Sequence, residues 1–169
     1  MIHPKFYTLY SPSPSPDCYV KRAEKTYPDE VTMNSIIRLE SILDRPIPVV
    51  VKNKKKVDIM FGIKAFYLSE RLFGLLSENK ITGWATFPVQ VTTPKNWAHK
   101  FFGLSIKGCR VPVIGEGFDF SRWDGSDFFT FERGTSVLVT ERVISVFESS
   151  RITGVKWEKV IAIKDGVWI

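Results

Sequence analysis

Few residues in this chain have the types and spacing that catalysis or metal binding requires. The 169 residues include two histidines, His3 and His99, and two cysteines, Cys18 and Cys109, which do not form a Cys-x-x-Cys pair. The sequence also has no nucleophile elbow and no phosphate-binding loop. We therefore predict no catalytic residue, no cofactor and no metal. An enzyme built on carboxylates alone is the alternative.

One pair of charged residues occurs twice, as Glu70 with Arg71 and as Glu141 with Arg142. Both pairs stand at the start of a predicted helix. There the helix dipole favours the glutamate, and the arginine is expected to extend into solvent. We interpret both pairs as parts of the scaffold, and a catalytic pair is the alternative.

A distinctive acidic turn lies at residues 123–129, with the sequence WDGSDFF. Asp-Gly-Ser is typical of a turn, so Asp127 is expected to accept hydrogen bonds from local amides, and the two phenylalanines to enter the next strand. Together with Glu116 and Asp119 the turn makes an acidic cluster. Its spacing fits no calcium loop, so we favour a structural turn over a metal site.

The elements that position these residues form an internal repeat. Residues 65–91 and 136–162 align without a gap at an offset of 71 positions, and six of the 27 pairs are identical. The identical pairs are Glu70 and Glu141, Arg71 and Arg142, Ile81 and Ile152, Thr82 and Thr153, Gly83 and Gly154, and Val89 and Val160. Each copy has the pattern strand, helix, turn, strand.

Both predicted helices have a cap residue and an amphipathic pattern. Ser69 and Thr140 are the predicted N-caps, and the first helix is predicted over residues 70–79. The predicted buried faces are Leu72, Phe73, Leu75 and Leu76 in the first copy, and Val143, Ile144, Val146 and Phe147 in the second.

These patterns predict an α+β fold with a mixed sheet, in which the duplicated strand-helix-strand units pack their helices on the sheet. If both strands of a unit join one sheet, they should run parallel, with the helix as a right-handed crossover. A length of 169 residues is typical of a single domain.

The remaining segments are predicted from composition and turn residues. We expect strands at residues 5–10, 49–51 and 57–61. A helix is predicted at 34–43, and an alternating strand through residues 31–39 is the alternative. The Ser-Pro stretch at 11–16 forbids helix and ladder pairing, which predicts a surface loop. A further one or two strands are expected within residues 104–114, broken at Gly108.

The chain is basic, with a net charge of +6 and a pI near 9.3. This balance suits an acidic partner, a nucleic acid or a membrane surface. The lysines at 52, 54, 55 and 56 are interpreted as a solvated turn between strands. A basic nucleic-acid-binding module is the alternative function, although no helix-turn-helix, RNA-recognition or zinc signature accompanies the charge.

The segment from Thr92 to Arg122 has no counterpart at the repeat offset, so we expect it to carry what is specific to this protein. Its aromatic residues among lysines suit a protein partner or a stacked base, and filling the core is the alternative. The candidate partner-binding residues are Trp97, His99, Lys100, Arg122, Trp123 and Asp124.

A set of short motifs together resembles a known family. The motifs are YLSER at 67–71, LL at 75–76, ITG at 81–83, FPV at 87–89, WDGSDFF at 123–129, VTER at 139–142 and ITG at 152–154. This pattern resembles immunity proteins of bacterial polymorphic toxin systems, specifically the family related to double-CxxCG motif proteins. The resemblance covers roughly residues 45 to 163.

The resemblance implies a cytoplasmic, non-enzymatic protein that binds a cognate toxin and blocks its active site or an essential surface. Because the paired Cys-x-x-Cys motifs are missing here, no zinc is implied. The N-terminus lacks the apolar region of a signal peptide, and no run of about 20 apolar residues is present, which agrees with a cytoplasmic location and no membrane partner.

Overall fold

A computed structural model of the chain describes residues 4–12, 18–20, 46–52, 56–62, 65–92, 100–134, 136–164 and 167–168. Its strands are β1 (Phe6–Tyr10), β2 (Cys18–Val20), β3 (Ile47–Val51), β4 (Ile59–Gly62), β5 (Ala65–Ser69), β6 (Trp84–Thr92), β7 (Phe101–Ile106), β8 (Arg110–Val111), β9 (Val113–Ile114), β10 (Gly117–Asp119), β11 (Phe128–Phe131), β12 (Val137–Thr140), β13 (Lys156–Lys164) and β14 (Val167–Trp168). The α-helices are α1 (Glu70–Glu78) and α2 (Glu141–Ser149), and a 3-10 turn covers Phe120–Arg122.

The strands form two mixed sheets. A six-stranded sheet has the order β2-β3-β6-β7-β5-β4, and an eight-stranded sheet has the order β8-β11-β12-β1-β13-β10-β9, with β14 paired to β13. Parallel pairs, such as β3 with β6 and β10 with β13, lie among antiparallel ones. The predicted α+β class is confirmed, but the strands form two mixed sheets where one was predicted. The predicted strands near residues 5–10, 49–51 and 57–61 are confirmed.

The two strands of each repeat segment run parallel but are not neighbours. β7 lies between β5 and β6 and is antiparallel to both. β1 lies in the same way between β12 and β13. Each helix therefore connects two strands across an intervening antiparallel strand.

β1 and β7 occupy equivalent places, although they come from different parts of the chain. Phe6 is opposite Thr140, and Phe101 is opposite Ser69, which is the residue aligned with Thr140. The segments 5–9 (KFYTL) and 100–104 (KFFGL) therefore superpose in register. The expectation that the segment after Thr92 has no counterpart is wrong for β7. Its counterpart lies 95 residues earlier, outside the 71-residue offset.

The two helices begin differently at their caps. The Ser69 hydroxyl accepts a hydrogen bond from the Leu72 amide at 3.2 Å, so it caps α1 as predicted. Thr140 stands at the N-cap of α2 with no side-chain cap bond. The predicted N-cap position is therefore confirmed, but the Thr140 hydroxyl makes no cap bond and donates to Asp127 at 2.8 Å.

The buried helix faces agree with the prediction in α2 and only in part in α1. All four predicted residues of α2 are buried. In α1 only Leu72 and Leu76 are buried. Phe73 and Leu75 are half-buried, since the Phe73 ring packs at the margin against the aromatic rings of β6 and β7.

Both helices end in the same turn. In α1 the Ile81 amide donates to the Leu76 carbonyl at 2.9 Å and the Lys80 amide to the Ser77 carbonyl at 3.0 Å. The equivalent amides of the second copy make the same two bonds at the end of α2. This pattern requires a left-handed residue, and Lys80 and Arg151 have φ of 52° and 51°.

The core has two parts. The larger cluster contains residues of both sheets and both helices. The smaller cluster belongs to the eight-stranded sheet and consists of Phe6, Val111, Phe118, Phe129, Leu138 and Ala162. Because β8 and β9 lie at opposite ends of the strand order and only Pro112 separates them, this sheet must curl until its two edges meet.

Some predictions fall on residues outside the described ranges. These are the helix at 34–43, most of the Ser-Pro loop at 11–16, and Lys54 and Lys55. Within the described ranges, neither helix is long and apolar enough to cross a membrane.

Candidate functional site

The carboxylate of Asp127 is 5% exposed and accepts four hydrogen bonds. One oxygen accepts a hydrogen bond from the Thr140 hydroxyl. The other accepts bonds from the Thr82 amide and hydroxyl, and from Arg142 Nη1 at 3.0 Å. The Asp127 amide in turn donates to the Thr82 hydroxyl at 3.1 Å. The expected bonds to local amides are wrong, because the carboxylate faces the turn of the other repeat.

Asp58 makes the matching set of bonds in the first half of the chain. Its oxygens accept from the Thr153 amide and hydroxyl, at 3.1 and 3.0 Å. They also accept from Ser69 Oγ at 3.3 Å and from Arg71 Nη1 at 3.0 Å. Each aspartate thus binds an arginine of its own half and a threonine of the other half.

The arginines complete this reciprocal arrangement. Arg71 Nη2 also donates to the Ser150 carbonyl at the end of α2, and Arg142 Nη2 donates to the Asn79 carbonyl at the end of α1. A cation beside a helix C-terminus is stabilised by the helix dipole. Both arginine side chains are half exposed, as predicted, and they also bind a carboxylate and the end of a helix.

These two clusters have the residue types of an acid-base site but bind internally. A cavity of about 260 Å³ opens beside Asp58, yet the carboxylate is directed at Arg71 and Thr153. Occupied acceptor positions suit cross-linking of the two halves better than proton transfer. Asp58 and Asp127 lie 69 residues apart, two short of the repeat offset, so the alignment of the two segments does not pair them.

The predicted partner-binding residues fall in two places. Lys100 is exposed at the start of β7, where it borders a groove of about 590 Å³ in the six-stranded sheet. Trp97 and His99 lie outside the described residues. Arg122, Trp123 and Asp124 follow β10 in the eight-stranded sheet. The aromatic pair after Lys100 contributes one buried ring and one half-buried ring.

Trp123 and Asp124 form the predicted structural turn. The Trp123 ring packs edge-on against Phe6 with centroids 5.0 Å apart, and its Nε1 donates to the Ser126 carbonyl at 2.9 Å. Asp124 accepts from the Ser126 hydroxyl at 2.5 Å and from the Cys109 amide at 3.1 Å. Both side chains are thus engaged within the protein, while Arg122 is exposed.

This turn shifts two pKa values in opposite directions. Burial acts to raise the pKa of Asp124, but hydrogen bonds from Ser126 and Cys109 outweigh it and lower the pKa below the ordinary 3.8. The ionised Asp124 carboxylate therefore stabilises the turn at neutral pH. This stabilisation is lost as the pH falls from 3.8, the ordinary pKa, through the lower pKa of Asp124 in the folded protein. Burial raises the pKa of the Cys109 thiol to about 11.

Cys109 should react slowly in the folded protein. A pKa of about 11 instead of 9.0 lowers the thiolate fraction at pH 8 by roughly 100-fold. We expect iodoacetamide to alkylate native Cys109 about 100-fold more slowly than the urea-unfolded chain, measured by mass spectrometry. The Cys109→Ser variant, which keeps only the buried Cys18, gives the background rate. Equal rates in native and unfolded protein would contradict the burial argument.

The most exposed large apolar side chains near this turn belong to β9. Val113 is 55% exposed and Ile114 is 44% exposed. β9 is the last strand in the order of the eight-stranded sheet and pairs with β10. The Asp119 amide donates to the Pro112 carbonyl at 3.2 Å, which holds β9 close to the turn that carries Arg122. We call Val113, Ile114 and Arg122 the β9 surface.

β9, the turn at Gly115 and Glu116, and β10 form a hairpin. Gly115 has φ of +56° and forms the reversal with Glu116. Gly117 lies so close to β13 that an added Cβ would stand 2.3 Å from the Ile161 carbonyl oxygen. The hairpin is therefore fixed tightly at β10, while β9 and the turn remain exposed.

No protein-family model matches the chain, and no curated protein matches it. Within the described ranges, no three His, Cys, Asp or Glu side chains converge as metal ligands.

Proposed function

We propose that this protein is a cytoplasmic immunity protein that neutralises a cognate bacterial toxin by one-to-one binding through the β9 surface. The observation that carries the proposal is the exposure of Val113 and Ile114, two neighbouring large apolar side chains, on the last strand of the sheet order. Exposed apolar side chains of this kind are typical of the centre of a protein interface, and arginine is enriched at such surfaces.

The placement of the polar groups supports a binding role. Asp58, Asp127 and their arginines are bonded across the two halves, which makes the body a firm support for the exposed hairpin. Trp123 packs beneath the same region and fixes the turn next to Arg122. A surface on a rigid support binds with a smaller loss of conformational entropy.

The duplication belongs to the same proposal. We regard the chain as two related strand-helix-strand units whose helices pack on their sheets, with residues 65–91 and 136–162 as the best-matched parts. The equivalent bonds at Asp58 and Asp127 support this relation. The β9 surface lies outside the matched segments, where a diversifying interface does not disturb the cross-links between units.

Growth rescue tests the proposed function. Cells that express the toxin encoded beside this protein should survive when the wild-type protein is co-expressed, and the two proteins should co-purify. The variant Val113→Lys/Ile114→Lys should lose rescue, because two charges replace the apolar centre. The matched control is Tyr10→Ser, which removes a side chain that is 41% exposed on a different strand and should keep full rescue.

Two results would contradict the proposal. One is the absence of both rescue and co-purification with the wild-type protein. The other is tight nucleic-acid binding whose affinity falls steeply with salt, which would favour the basic nucleic-acid-binding module instead. Equal soluble levels of all variants, checked by gel, separate loss of binding from loss of folding.

A further inference from the structure

The central strand of the eight-stranded sheet comes from the far end of the chain. β1 lies between β12 and β13, while the segment linking those two strands contains α2. In the six-stranded sheet the same position is filled by β7, which follows β6 directly in the strand order along the chain. The second unit therefore has a gap for one strand, and the chain fills it from its N-terminal part.

The gap holds β1 on both edges and on both faces. Backbone pairing connects β1 to β12 over three residue pairs and to β13 over five. Phe6 is 1% exposed and packs in the smaller core, whereas Leu9 is 4% exposed and packs in the larger one. The alternation of a strand sends these two side chains to opposite faces.

The first residues of the strand are recognised by charge and by the helix end. Lys5 Nζ lies 2.7 Å from Glu141 Oε1, and the Lys5 carbonyl accepts from the Glu141 amide at 2.9 Å. The Lys100 carbonyl accepts from the Glu70 amide in the same way at 3.0 Å. The gap thus selects an extended segment that begins Lys-Phe and places Leu three residues after Phe.

We propose that the gap between β12 and β13 is a strand-binding site for a Lys-Phe-x-x-Leu segment, and that β1 of a second copy of this chain fills it as well as the chain's own β1. Seven residues lie between β1 and β2. Exchange of β1 between two copies repeats every contact that β1 makes inside the gap, because the exchanged strands are identical. This inference does not depend on the toxin-binding proposal.

Strand exchange in a cut chain tests the binding site. A protease site is inserted after Pro12, the chain is cut with both pieces retained, and a fluorescent peptide of residues 1–12 is added after brief exposure to urea. We expect the cut strand to co-elute with the body and the labelled peptide to replace it.

A Phe6→Ala peptide should bind roughly 100-fold more weakly. A peptide of residues 100–107 should compete. Release of the cut strand without peptide binding, or equal binding of the Phe6→Ala peptide, would overturn the proposal.

Exchange between intact chains tests the second copy as occupant. Tagged and untagged full-length protein are refolded together at high concentration and analysed by light scattering after gel filtration. We expect a dimer fraction that contains both forms, and the Phe6→Ala chain should give no such fraction. A Lys5→Ala chain, which loses only the exposed ion pair, should still form it. Monomer alone from the wild-type chain would contradict the role of the second copy.

Discussion

Replacing Gly83 by alanine should destabilise the protein by about 2–4 kcal/mol, and Gly154→Ala should have the same effect. Both glycines are left-handed, with φ of 80° and 88°. An added Cβ would stand 2.2 Å from the Phe128 carbonyl oxygen at Gly83, and 2.2 Å from the Ile59 carbonyl oxygen at Gly154. Each turn therefore has to move away from the strand of the other half. Urea denaturation followed by tryptophan fluorescence measures the change.

Gly74→Ala is the matched control for these variants. Gly74 lies in α1, and a Cβ built there meets no atom within 4 Å. Alanine favours the helix, so this variant should be more stable by roughly 0.5–1 kcal/mol. If Gly83→Ala changed the stability no more than Gly74→Ala, the close packing of the turn against Phe128 would be refuted.

Asp127→Ala should cost about 3 kcal/mol of unfolding free energy, and Asp58→Ala a similar amount. Each change leaves three hydroxyl or amide donors and an arginine without their buried acceptor. Because each aspartate binds both halves, either variant should shift a single cooperative transition and not split it in two. Urea unfolding monitored by fluorescence and by circular dichroism tests both the size of the destabilisation and whether the two signals change in one transition.

Two further variants compare the contribution of the buried Asp127 carboxylate with that of its arginine partner and with that of an exposed carboxylate. Arg142→Ala should cost only about 1 kcal/mol, since the side chain is half exposed and its ion pair is partly screened. Glu158→Ala removes an exposed carboxylate from β13 and should be nearly neutral. If Asp127→Ala lowered the unfolding free energy as little as Glu158→Ala, the buried cluster would not stabilise the packing of the two halves against each other.

The parts of the fold with local signals were predictable from the sequence. The limits of α1, the Ser69 cap and the buried face of α2 depend on residues within one helical turn. The Trp123 and Asp124 turn was predictable for the same reason. In each case the side chains and backbone groups that bond are close neighbours along the chain.

The long-range arrangement was not predictable in this way. Thr140 has the sequence signal of a cap, yet its hydroxyl binds Asp127 13 residues earlier in the chain. Asp58 reaches Thr153, 95 residues away, and β1 fills a gap in the C-terminal sheet. These contacts depend on how two units interlock, and a fixed offset cannot show them. The match between KFYTL and KFFGL was a visible signal that a search at several offsets detects.

The binding surface was predictable only in part. Arg122, a candidate contact residue from the sequence, is exposed, whereas the sequence of Val113 and Ile114 predicts only an ordinary strand. Alternating burial is the usual expectation for a strand, and here both neighbours are exposed on the last strand of the sheet order. Exposure of this kind depends on tertiary structure.

Isothermal titration of the purified protein with the purified toxic domain encoded beside it tests the central claim most directly. We predict one-to-one binding, a loss of affinity of roughly 100-fold for Val113→Lys/Ile114→Lys, and an unchanged affinity for Tyr10→Ser. Circular dichroism should show that all three proteins are equally folded. No binding by the wild-type protein, or an unchanged affinity of the double variant, would contradict toxin neutralisation through the β9 surface.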